Sequence, residues 1–192
     1  MPRLFTGLEI PEPIRRHLAL LRAPIAGAKW IQPEDMHITL RFAGDVDARM
    51  ADEFAELLCR IRSKPLPITI RGVGAFGGRE PRVLWAGVEG GRDLDGLYRA
   101  NERAARAAGI KPDPRGFRPH VTLARMRAMP QQAVARFLEE NGDLHIGPFV
   151  ATQFVLLSAR PGSGGPPYGI EERFPFSDAP QGAIAGARRG KS

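Results

Sequence analysis

His37-Ile38-Thr39-Leu40 and His120-Val121-Thr122-Leu123 spell the same four-residue word, H-x-T-L, once in each half of the 192-residue chain. Imidazole titrates near neutrality, so a pair can hold one neutral base and one charged acid at the same pH. A threonine hydroxyl beside each can donate a hydrogen bond to a non-bridging phosphate oxygen. On a β-strand, residues i and i+2 point to the same face. Each word then presents an imidazole and a hydroxyl on one side and buries Ile38/Leu40 or Val121/Leu123 on the other. Two such strands side by side surround one small anion with two imidazoles and two hydroxyls. The chemistry this suggests is acid–base catalysis at a phosphate.

A lone histidine in a strand is ordinarily a hydrogen-bonded structural residue, and the matched repetition argues otherwise here. His17 and His145 lack the following x-Thr and read as surface residues. Neither motif histidine has an H-x-H, an H-E-x-x-H or a ligand-like carboxylate around it. Asp35 lies two before His37, but its counterpart before His120 is Arg118. No metal and no cofactor is expected. Arg125 falls five residues after His120, and Arg41 lies on the His37/Thr39 face by period-two counting. Either can neutralise phosphate charge, with Arg118 a weaker candidate. Trp30 and Phe117 flank the motif strands and are candidates for stacking a base, whereas Phe42 reads as core. Gly72 to Gly77 satisfies G-x-G-x-x-G, but a strand rather than a helix follows, so it reads as a strand connection.

The elements around the motifs repeat as well. A strand at Leu4–Ile10 precedes a helical pattern through Ile14, Leu18 and Leu21. After the His37 strand, Asp47 is placed to cap a helix with apolar Met50, Phe54, Leu57, Leu58 and Ile61, and a strand spans Leu66–Arg71. In the second half come a strand at Val83–Glu89, a helix at Asp93–Ala108, the His120 strand, a helix at Gln131–Asn141 and a strand at Phe149–Ser158. Gly7-x-Glu9 and Gly87-x-Glu89 look like matching strand ends. The expected fold is α+β: duplicated β-α-β-α-β units, bilobal and pseudo-twofold, with antiparallel sheets lining a central cleft. The expected organisation is a single domain over 1–179, with halves of about 3–80 and 81–160. A closing strand follows at Tyr168–Phe176, and a disordered basic tail over 180–192.

Composition bounds the partners. No apolar run approaches a membrane span and no signal peptide is visible, so a cytoplasmic monomer is expected. Cys59 is the single cysteine, which excludes a disulfide framework. The net charge is +7, and only four of the 28 basic residues are lysine. Guanidinium forks recognise phosphate bidentately, so an arginine-rich body permits a nucleic-acid substrate.

With both H-x-T-L words, Phe117-Arg118-Pro119 before the second and Arg125 after it, the chain resembles the two-histidine phosphoesterase superfamily. Arg3-Leu4-Phe5 and Pro81-Arg82-Val83-Leu84-Trp85 make it similar to the RNA 2′,3′-cyclic phosphodiesterase branch, also called LigT-like or 2′-5′ RNA ligase. The resemblance covers about residues 3–178. It implies metal-independent hydrolysis of a terminal 2′,3′-cyclic phosphate to a 2′-phosphomonoester, with 2′-5′ joining of RNA ends as the reverse use of that chemistry. It further implies His37 and His120 as the catalytic pair and Thr39, Thr122 and Arg125 as phosphate ligands. The implied partner is an RNA or oligonucleotide with a cyclic phosphate end. The alternatives are an enzyme of the same superfamily acting on small cyclic nucleotides and a noncatalytic nucleotide- or RNA-binding module. The near-symmetry of the motifs leaves the acid and base roles open, with a lean to His120 as base and His37 as acid.

Overall fold

A computed structural model of the chain describes residues 3–127, 130–159 and 167–177. Nine strands and four helices are described: β1 Arg3–Glu9, α1 Glu12–Ala19, β2 Lys29–Trp30, β3 His37–Asp45, α2 Ala48–Cys59, β4 Leu66–Phe76, β5 Val83–Glu89, α3 Gly91–Ala107, β6 His120–Arg125, α4 Gln131–Asn141, β7 His145–Ala151, β8 Gln153–Ala159 and β9 Tyr168–Pro175. The strands form one curled antiparallel sheet in the order β7-β4-β5-β6-β3-β1-β8-β9, with β2 also paired to β6. Its two wings, β7-β4-β5-β6 and β3-β1-β8-β9, meet at a narrow seam where Ile38 pairs with Val121.

The chain halves and the wings do not coincide. The first half supplies β4 to the wing of the second, while β8 crosses back to lie beside β1. The duplication read from the sequence therefore exchanges strands between its copies. The strand expected over Phe149–Ser158 is two, with Thr152 between β7 and β8. The strand expected over Leu66–Arg71 runs on to Phe76 through the Gly-rich stretch. The loop 161–166 and the tail 180–192 lie outside the described residues.

Local chemistry sets the helix ends that matter for the site. Asp47 caps α2 by accepting from the Met50 N–H at 2.8 Å. At the end of α3, Gly109 adopts φ +83°, its N–H reaches the Arg106 carbonyl, and Ile110 N–H reaches the Ala105 carbonyl. This Schellman closure stops the helix and turns the chain into the loop that delivers His120. The main core lies between sheet and helices, where Ile38, Leu40, Val121 and Leu123 pack with Phe54, Leu58, Leu94, Leu97, Val134 and Phe137. A second apolar cluster of Phe5, Val155 and Leu157, edged by Phe42, Tyr168 and Ile170, covers the opposite face of the β3 wing.

Candidate active site

The seam places the two H-x-T-L words against each other. Because β3 and β6 run antiparallel and pair at Ile38–Val121, the same register sets His37 opposite Thr122 and Thr39 opposite His120. Ile38 and Val121 are fully buried on the helix side. The four polar side chains consequently share the other face, as strand alternation requires.

Each imidazole is oriented in the same way. His37 Nδ1 lies 2.8 Å from the Asp35 carbonyl, and His120 Nδ1 lies 2.6 Å from the Arg118 carbonyl. A carbonyl only accepts, so Nδ1 carries the hydrogen in both rings and Nε2 keeps the lone pair when the ring is neutral. It is thus the backbone two residues upstream that orients each ring. The Asp35 carboxylate that stood out in the sequence has no part in this bond.

Beyond the threonines the strands break parity, and they break it in the same place. Gly7 pairs with Thr39 but Thr6 pairs with Arg41, leaving Leu40 as an extra residue. Trp85 pairs with Thr122 but Leu84 pairs with Ala124, leaving Leu123 extra. A bulge reverses which face later residues take. Arg41 therefore leaves the imidazole face. It is 2% exposed and donates to the Glu102 carboxylate and to the Phe42 and Lys111 carbonyls. Arg125, an odd five residues after His120, is returned to the imidazole face by the same device. Its guanidinium is exposed and has no acidic partner among the described residues. Neither Thr39 nor Thr122 spends its hydroxyl on a hydrogen bond among the described residues.

The aromatic rings around the imidazoles differ from those expected. Trp30 faces the helix layer and packs against Phe137 of α4 at 5.8 Å. Phe117 stacks on Tyr98 of α3 at 4.2 Å with the planes 2° apart. On the imidazole face stand other rings. Phe5 and Tyr168 lie 5.0 and 5.1 Å from His37, and Phe42 packs on Phe5 at 5.4 Å. Phe76 lies 5.0 Å and Trp85 6.3 Å from His120. Phe42 accordingly belongs to this face rather than to the main core. The Trp85 indole lies where a Cβ on Gly74 would stand, 2.1 Å from Cζ2, so only glycine admits that ring. These rings were missed because bulges and strand exchange, rather than sequence adjacency, bring them to the histidines.

This enclosure sets the electrostatics. Burial pushes His37 down to about 4, the positive charges of Arg125 and His120 add to the effect, and the Asp35 carbonyl opposes it. Burial also lowers His120, with Arg125 and Arg115 acting in the same direction against the Arg118 carbonyl. Both shifts favour the neutral ring at pH 7. An anion beside them favours protonation. Among the described residues, no three His, Cys, Asp or Glu side chains group to hold a metal ion.

Two tautomer-fixed imidazoles, two hydroxyls and a guanidinium stand on one face, the hydroxyls and the guanidinium without a hydrogen-bond or acidic partner among the described residues. The chain matches the LigT-like phosphoesterase model over residues 8–85 and 88–168, once for each H-x-T-L word. It is 41% identical over 137 residues to the RNA 2′,3′-cyclic phosphodiesterase of Aeropyrum pernix, covering 68% of this chain and 78% of that one. It is 33% identical to the enzyme of the same name from Aquifex aeolicus, covering 88% and 93%. TT0787 of Thermus thermophilus superposes with a TM-score of 0.75 at 26% identity, covering 91% and 97%. Escherichia coli LigT complexed with 3′-AMP superposes at 0.72 and 25% identity, covering 92% and 99%. The chain belongs to the LigT-like phosphoesterase family. Among the described residues, no helix is long and apolar enough to cross a membrane.

Proposed function

We propose that the chain is an RNA 2′,3′-cyclic phosphodiesterase that uses His37 and His120 as its proton carriers. The observation that carries the reading is the seam itself, which sets each imidazole opposite the other motif's threonine. The active state carries one proton over the two rings. The neutral Nε2 takes a proton from water as its oxygen attacks phosphorus in line with the 3′ oxygen. The P–O3′ bond breaks, and the other imidazole gives its proton to the leaving 3′ oxygen, so the phosphate stays on the 2′ position. The Thr39 and Thr122 hydroxyls and the Arg125 guanidinium stabilise charge on the equatorial oxygens as the fifth bond forms.

Burial favours leaving the single proton on His120, because His37 is the more strongly depressed. This ordering runs against the sequence-based lean, and the histidine variants below assign the roles. No step calls for a metal ion. With a 5′-hydroxyl end in the place of water, the same groups form a 2′-5′ linkage: the 5′ oxygen gives its proton to the neutral Nε2 and attacks the cyclic phosphate, the P–O3′ bond breaks, and the other imidazole protonates the 3′ oxygen. The protein acts as a cytoplasmic monomer on RNA ends. The test is incubation of an oligonucleotide ending in 2′,3′-cyclic phosphate with excess chelator, followed by identification of the product isomer. A 2′-phosphate formed in chelator supports the reading. A 3′-phosphate, or activity lost in chelator and restored by a divalent cation, overturns the mechanism.

A further inference from the structure

The two motif strands end differently beyond their bulges. On β6 the residue returned to the imidazole face is Arg125, whereas at the equivalent place on β3 it is Phe42. A guanidinium stands there nonetheless. Arg115, from the loop that precedes His120, lies over the Phe42 ring with its Cζ 5.2 Å from the centroid. Its Nε and Nη2 donate to the two carboxylate oxygens of Asp113 at 3.0 and 2.9 Å, and its backbone N–H donates to the same group at 3.0 Å. The loop is held from the other face of β3 by Arg41, which donates to the Lys111 carbonyl.

Arg115 is thus an exposed side chain that is nevertheless fixed. An exposed arginine ordinarily gives up rotamer freedom when it binds, and one already forked onto an acid and seated on a ring gives up little. Asp113 takes one edge of the fork. The Nη1 hydrogens have no partner among the described residues, so that edge remains open to an anion. The charge is close enough to the site to bear on His120.

The anion it takes is a second one. Arg125 and the two threonines already answer the single charge of a cyclic phosphate diester. In an RNA chain the next anion is the phosphodiester on the 5′ side of the terminal nucleotide, and contacts to backbone phosphate fix register on a nucleic acid. We propose that Arg115, seated on Phe42 and forked by Asp113, binds that 5′ phosphodiester and so selects RNA ends over free cyclic mononucleotides. The inference rests on the cyclic phosphodiesterase reading above.

The test compares kcat/KM for adenosine 2′,3′-cyclic phosphate with that for the dinucleotide ApA ending in 2′,3′-cyclic phosphate, in the wild type and in Arg115→Gln. The ratio of the two is the readout. It cancels the active fraction of each preparation and any change at His120, which both substrates share. The wild type should prefer the dinucleotide, and Arg115→Gln should lower that preference about tenfold, in the range of a hydrogen bond to a charged group. A neutral methylphosphonate at the internal linkage should lower it similarly in the wild type and add little in the variant. A variant that loses the same factor on both substrates, or a wild type indifferent to the 5′ phosphodiester, overturns the inference and leaves the activity standing. Hydrolysis of neither substrate by the wild type refutes the activity, and this inference with it.

Discussion

Holding His37 neutral inside the cleft has a consequence for stability that is separate from turnover. Its folded pKa is about 4, against about 6.5 for an unfolded imidazole. Between these values the unfolded chain binds more protons than the folded one, so stability rises with pH across the window. The contribution is complete above the unfolded value and is lost as pH falls toward and through the folded one. Each pKa unit is worth about 1.4 kcal/mol, so the full loss is about 3 kcal/mol. At pH 5 the unfolded imidazole is nearly all charged and the folded one nearly all neutral, which places about 2 kcal/mol of the loss between pH 7 and pH 5.

Replacing His37 with glutamine removes that titration while keeping an amide able to reach the Asp35 carbonyl. Urea unfolding of both proteins at pH 7 and pH 5 yields four stabilities, and their double difference cancels every other titrating group. The wild type should lose about 2 kcal/mol more than His37→Gln on acidification. An NMR titration of the His37 ring should place its midpoint well below the ordinary imidazole value of about 6.5. Parallel losses in the two proteins, or a His37 midpoint near about 6.5, would refute the claim that Phe5, Tyr168 and the neighbouring charges keep this ring neutral.

The remaining expectations concern turnover and the clip behind the site. His37→Ala and His120→Ala should each lower kcat by about two orders of magnitude or more, and near-normal turnover in either folded variant refutes its role. Thr39→Val and Thr122→Val should each cost about 1–3 kcal/mol in kcat/KM, and a loss under twofold means that the hydroxyl does not hold the phosphate. Because both imidazoles are depressed, kcat/KM should follow a bell whose maximum lies on the acid side of the ordinary histidine value. Bound phosphate should move the limbs of kcat to higher pH. In residual activity, His37→Gln should erase one limb and His120→Gln the other. Loss of the alkaline limb identifies the acid, and a flat profile from pH 5 to 9 with chemistry rate-limiting rejects the pair. Arg41→Met should destabilise the fold by about 3 kcal/mol in urea, at the low end for a broken buried pair because Arg106 remains to answer Glu102. A loss under about 1 kcal/mol would mean that Arg41 does not clip β3 to α3.

The placement of the two motif histidines on one face was legible because it obeys the simplest rule of a strand, and most of what was misread lies past the point where that rule stops. His37 with Thr39 and His120 with Thr122 need only period-two alternation, and both words lie ahead of their bulges. Counting on from His37 by twos assigns Arg41 to the cleft, whereas the extra residue at Leu40 turns it inward to Glu102. The same slip hid Phe42, which faces Phe5 instead of the main core. Trp30 was misplaced for a related reason. In the two-residue β2, Lys29 pairs with Arg125 and Trp30 with Ala124, so the lysine takes the cleft side and the indole the helix side. The Gly-x-Glu match also dissolves in the register. Glu9 pairs with His37, but it is Gly87 that pairs with His120, which puts the two strand ends two residues out of step. The exchange of β4 and β8 between wings is set by long-range pairing that no local pattern encodes. The bulges did leave a trace in the sequence. Arg125 follows His120 by five, and two residues at an odd spacing share a face of one strand only if an extra residue lies between them. An odd offset between groups that one phosphate requires together is therefore a sequence-level mark of a bulge, and on β3 it points past Arg41 to position 42.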